Sequence, residues 1–167
     1  MKRLLSFFSI LILLLTLWAC SGKDIETAHF YYVRKNFDYS STDGVFVPQA
    51  TDAAQYITLN AFISEYLRGP DGPNLVSPFP SGTLLVDIDK NKETLAVTLS
   101  DKFASLTGIE LSLACCAFAK TAMEFTGVSV VEISALSEML DGVKTITITS
   151  EDIIVFDHAQ TASSEET

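Results

Sequence analysis

Four of the chain's five prolines fall between Arg68 and Thr83, in RGPDGPNLVSPFPSGT, with three of its eight glycines. Each proline lacks a backbone donor and fixes one dihedral. Each also biases the residue before it toward extended backbone. Neither a helix nor a central strand runs through such a stretch, so the fold must be read as two runs of structure joined by a stiff connector. Stiffness lowers the entropy lost when the two runs are brought together. The competing reading is a contact loop built on Pro78, Phe79 and Pro80, with Phe79 either anchoring a partner or plugging the edge of the core.

Upstream of the connector, HFYYVRKNF alternates and predicts a strand. Asp43-Gly44 is turn chemistry, and Val45 to Val47 is a short return strand. A helix is predicted within TDAAQYITLNAFISEYLRG, with Tyr56, Leu59, Ile63 and Leu67 at helical spacing. Asp52 with Gln55 reads as its capping box, with Thr51 as the rival cap. Gly69 and Pro70 close the helix.

Downstream, SGTLLVDI and ETLAVTLS are two strands with one apolar face each, Leu84, Val86, Ile88 and Leu95, Val97, Leu99. A second helix lies in LTGIELSLACCAFAKTAMEFTG, with a stripe of Leu111, Cys115, Phe118, Ala122 and Phe125 ending at Gly127. VSVVEI and KTITIT read as strands, and DIIVF as a short final segment. These elements predict an α+β fold: a single small domain with a mixed or mainly antiparallel sheet and two helices packed on one face, in β-α-β-β-α-β order.

The N-terminus specifies a location. Lys2 and Arg3 precede an apolar run from Leu4 to Trp18. Fifteen helical residues reach roughly 22 Å, short of the about 30 Å of a hydrocarbon core, which fits a signal peptide over residues 1–20. Leu17-Trp18-Ala19-Cys20 resembles the bacterial lipobox, which implies lipidation of Cys20 and cleavage before it. Residues 21–28 are then a tether of at most roughly 28 Å, residues 29–156 the folded domain, and residues 157–167 a disordered acidic tail. The expected setting is extracytoplasmic, on the membrane through the lipid.

The body resembles the GerMN domain, a module of sporulation and spore-germination proteins found in bacterial envelope lipoproteins. The resemblance rests on Leu67-Arg68-Gly69-Pro70 at a helix end, Pro78 to Thr83 entering a strand, and Leu111-Ser112-Leu113-Ala114 opening the second helix. Gly127-Val128 and Val131-Glu132-Ile133 continue it. It covers about Phe30 to Ile148 and implies a non-catalytic interaction or assembly module of the cell envelope, linked to sporulation or germination. An unknown envelope protein or peptidoglycan is the implied partner. The alternative is a small-ligand or peptidoglycan-binding lipoprotein with Tyr31, Tyr39 and Phe79 lining a site.

Residue chemistry agrees with an inert module. A net charge of −10 repels phosphate backbones, so no nucleic-acid partner is expected. Asp87, Asp89 and Asn91 brush against a calcium loop, but Lys92 and Thr98 stand where its glycine and final glutamate belong. Cys115 and Cys116 are neighbours in a helical pattern and read as buried thiols. His29 and His158, at opposite ends, are the only histidines for a catalytic triad or metal site. No cofactor, metal or catalytic residue is expected.

Overall fold

The computed structural model describes residues 27–36, 44–139 and 142–154. Strand β1 (Thr27–Arg34) pairs antiparallel with β2 (Phe46–Asp52), from Thr27 opposite Asp52 to Val33 opposite Phe46. The two-residue β3 (Leu75–Val76) joins the end of β1, giving the order β2-β1-β3. A second sheet has the order β4 (Leu85–Lys90), β5 (Thr94–Leu99), β6 (Val130–Ala135), β7 (Thr145–Thr149). Only β5 and β6 are parallel, and a helix makes their crossover. The helices are α1 (Leu59–Leu67), α2 (Gly108–Thr126) and the short α3 (Ser150–Ile154).

The α+β class is as expected, but in place of a single sheet the described residues form two. Helix α2 contacts β1 of the first sheet as well as β6 and β7 of the second. Leu113, Cys116 and Ala117 pack with Val45 and Phe46, whereas Ala114, Cys115, Phe118 and Ala122 belong to the main core. Seven successive residues, Leu113 to Ala119, are buried. An apolar stripe requires one covered face; burial all round requires cover on several sides. The alanines let backbones approach closely.

The sheets stay separate because helices close the open side of β1. The backbone N–H of Tyr31 donates to Thr121 Oγ1 at 3.0 Å, and the carbonyl of Tyr31 accepts from Tyr66 Oη at 2.7 Å. Tyr32 Oη returns a 3.0 Å bond to the carbonyl of Tyr66. Two side chains thus take the place of a neighbouring strand. On the far edge, Pro48 sits opposite Tyr31, at a position that asks no donor of it.

Local chemistry moves several boundaries. Asp52 caps only a 3-10 turn at Ala53–Gln55, accepting from the N–H of Ala54. The helix itself starts after Thr58, whose Oγ1 accepts from Ala61 N–H at 3.2 Å. Ile57 and Thr58 are both β-branched, which favours extended backbone there. At the end of α2, Gly127 has φ +73° and its N–H reaches the carbonyl of Met123 at 2.8 Å.

A bulge between Leu85 and Asp87 re-aims β4. Leu85 and Ile88 face Leu99 and Val97, so the expected apolar row Leu84, Val86, Ile88 is broken and Leu84 and Val86 are exposed. The tether also ends sooner than expected, because β1 begins at Thr27 and Ala28 is fully buried. The expected signal peptide, Cys20 and the expected tail 157–167 lie outside the described residues.

Candidate functional site

The connector places Phe79 in the core. It is 6% exposed and meets Tyr66 edge-on at 5.4 Å and Phe118 at 6.1 Å between ring centroids. Pro78 and Pro80 flank it half-buried. Thr83 Oγ1 and its N–H both bond the carbonyl of Pro80, which fixes the entry to β4. Of the contact loop Pro78, Phe79 and Pro80, the aromatic member is thus committed to packing and unavailable as an anchor.

Both thiols are buried and free, and they diverge. Cys115 belongs to the main core and Cys116 to the smaller cluster under β1 and β2. Burial, then the neighbouring Cys116, pushes the Cys115 thiol up to about 12; burial, then Asp152, pushes Cys116 up to about 11. The thiolate is the reactive form, so iodoacetamide at pH 8 is expected to label neither residue in the folded protein and both in urea. Mass spectrometry reads the outcome, and rapid labelling of the native chain would contradict the burial. Unfolded thiols ionise near about 8.5. The unfolded state therefore holds fewer protons above that pH, and stability falls as pH climbs from there toward 12.

His29 pairs with a carboxylate. Its Nδ1 is bonded to Glu124 Oε1, and Glu124 Oε2 accepts from Tyr31 Oη at 2.6 Å. Lys120 Nζ lies 4.8 Å above the Tyr31 ring. This cluster fastens β1 to α2 and brings no serine or thiol to the histidine. His158 and Tyr39 lie outside the described residues.

Tyr31 therefore lies against α2 while Phe79 is in the core, so the two aromatics expected to share a ligand site do not meet. Asp87 and Asp89 are exposed on the outer face of β4, as alternation predicts. Among the described residues, no three His, Cys, Asp or Glu side chains are grouped to hold a metal ion, and no helix is long and apolar enough to cross a membrane.

Among the described residues, two surface grooves stand out. One of about 420 Å³ lies between α2 and β7–α3, lined chiefly by Leu111, Cys115, Ile146 and Ile148, with Glu151 and Asp152 at its rim. The other, about 310 Å³, lies between the end of α1 and the start of β4, lined by Leu67, Arg68, Thr83, Leu84 and Leu85. Ser112 and Cys116 also line the first groove, but burial and then Asp152 push the Cys116 thiol up, away from its reactive thiolate form. Thr121, Tyr66 and Glu124 are structurally decisive residues that the sequence pattern does not reveal.

Comparison with curated proteins gives no match. Among solved structures, the chain is similar to the first GerMN domain of the sporulation protein GerM from Bacillus subtilis. That match has a TM-score of 0.54 and 16% identity, over 75% of this chain and 98% of that one. The tandem GerMN domains of the same protein match at 0.54 and 19%, over 78% of this chain and 48% of that one. A presumed lipoprotein from Clostridium perfringens matches at 0.50 and 16%, over 82% and 97%. These likenesses show a shared fold. A family model, Germane, described as sporulation and spore germination, matches residues 29–141, more than half of the chain. The chain belongs to the Germane family.

Proposed function

We propose that this chain is a membrane-anchored extracytoplasmic lipoprotein whose Germane domain is a non-catalytic interaction module of the cell envelope. The carrying observation is how its chemically capable groups are used. Tyr66 and Thr121 complete the backbone of β1, Glu124 holds Tyr31 and His29, and the thiols are buried. What stays available is surface and strand edge. The family's description supports sporulation or germination as the process served. A lipoprotein among the similar folds supports the anchor, as does the Leu17-Trp18-Ala19-Cys20 sequence.

Stable anchoring takes more than one acyl chain, so loss of the Cys20 thiol removes the whole attachment. Cys20→Ser is expected to abolish lipidation, leaving either processed protein in the soluble fraction or unlipidated, leader-retaining precursor in the membrane pellet. Fractionation and intact-mass measurement separate these outcomes. An unlipidated wild-type Cys20 would sink the anchoring.

A further inference from the structure

β4 is the only strand of the second sheet without a buried residue, and among the described residues its only strand neighbour is β5. Of the other edges, Thr121 and Tyr66 close β1 and Pro48 interrupts β2, while β7, at the far end of the second sheet, also pairs on one side among the described residues. The surface beside β4 is also unusual. Leu84 N–H donates to Ser100 Oγ at 3.0 Å, Ser100 N–H to the carbonyl of Leu84 at 2.9 Å, and Leu136 N–H to the carbonyl of Leu99 at 2.8 Å. Continuing the registers of the sheet then sets Leu84, Ser100, Leu136 and Val143 in one row across its outer face. Leu84 and Leu136 are each 64% exposed, Val143 39%, and the bulge residue Val86 48%. An apolar row of this kind beside an unpaired edge is a contact feature.

Charge selects the occupant. Asp87 and Asp89 stand exposed on the outer face of β4, next to Thr98 and Ala96, with Glu132 one strand further in. Of the cations around β4, Lys90 Nζ donates to the carbonyl of Thr126 on the helix side and Arg68 pairs with Glu65, while Lys92 and Lys102 lie exposed in the turns beyond the ends of the acidic face. A second copy pairing β4 to β4 would bring like carboxylates together, which destabilises a sheet. A strand bearing lysine or arginine is favoured instead. On the helix side, the 310 Å³ groove beside Leu85 is open to an apolar side chain of the incoming strand.

We infer that the free edge of β4 takes up an extended segment of another protein, apolar beside Leu84 and Val86 and basic beside Asp87 and Asp89. The inference rests on the interaction-module reading and names its surface. Main-chain bonds supply affinity in such strand addition, and the alternating side chains select the sequence. The bulge admits only a segment matched to the locally twisted edge.

The test selects displayed random twelve-residue peptides on the full lipoprotein in detergent. Enrichment of alternating apolar and Lys/Arg sequences is expected. Their affinity should drop at least roughly tenfold in Asp87→Lys/Asp89→Lys and also drop in Leu84→Ser, but hold in Glu110→Lys/Glu151→Lys, which changes net charge equally at exposed sites elsewhere. Thermal melts confirm that the variants fold. No enrichment, equal loss in both charge variants, or dimerisation through β4 overturns the inference. A photocrosslinking residue placed at 57 or 86 in cells separates the two levels. Adducts from exposed Ile57 and none from Val86 overturn the β4 site and leave the module reading standing. Silence at both overturns both.

Discussion

Phe62→Ala is expected to destabilise the domain by about 3–5 kcal/mol, the usual range for deleting a fully buried phenyl ring. Phe62 is entirely buried. Its ring lies 4.9 Å from Phe30 on β1, 5.3 Å edge-on from Tyr56 beside the 3-10 turn, and 3.7 Å from Phe125 on α2, stacked nearly parallel at 7°. One side chain therefore joins the first sheet, α1 and α2. Truncation removes the transfer energy of the ring and leaves a space bordered by three other rings, which collapse only partly. Urea unfolding measures the loss through the midpoint, with an unchanged slope expected. Phe62→Leu should lose much less, because most of the volume remains. A loss under about 1 kcal/mol for the alanine variant would mean that the aromatic cluster is not where the domain gets its stability.

The second large effect concerns the open side of β1. Tyr66→Phe deprives the carbonyl of Tyr31 of its donor, and Thr121→Val deprives the N–H of Tyr31 of its acceptor. Both side chains are fully buried, so the abandoned backbone group cannot recover a water freely. Each substitution should cost about 1–3 kcal/mol, although each nearly conserves shape. Burial holds the Tyr66 phenol well above its ordinary ionisation range, and its hydrogen bond with Thr121 acts the other way. The two hydroxyls thus form one network. The double variant should lose less or more than the sum of the singles by at least about 0.5 kcal/mol. Strict additivity would show that the hydroxyls act independently. With both bonds absent, β1 exposes an unsatisfied edge, and faster aggregation on partial heating is the accompanying expectation, read by light scattering.

The sequence made some of this legible and concealed the rest for physical reasons. Strands β5 and β6 follow from strict alternation, with Leu95, Val97 and Leu99 inward on β5 and Val131 and Ile133 on β6. The end of α2 follows from Gly127. By contrast, the division into two sheets depends on two hydrogen bonds spanning 35 and 90 residues, and no local pattern encodes such pairing. The Asp52 cap is real yet belongs to a different helix type, because capping chemistry is the same for a 3-10 turn and an α-helix. The face assignment of β4 failed at a bulge, where one added residue reverses every side chain beyond it. That same reversal created the exposed Leu84 and Val86. In the connector, prolines fixed the path but not the direction of Phe79, which the surrounding aromatic rings decide.

Cys115 and Cys116, about 100° apart on α2 and in different apolar clusters, bear on how such a chain matures. Neighbouring thiols on one helix cannot reach each other without unwinding it, and here each is walled in by a different set of apolar neighbours. Oxidative damage is therefore confined to the interval before the walls close. On the proposed extracytoplasmic reading, rapid collapse around α2 protects the chain against mispaired sulfurs, and slow-folding variants are expected to accumulate more crosslinked dimers than the parent.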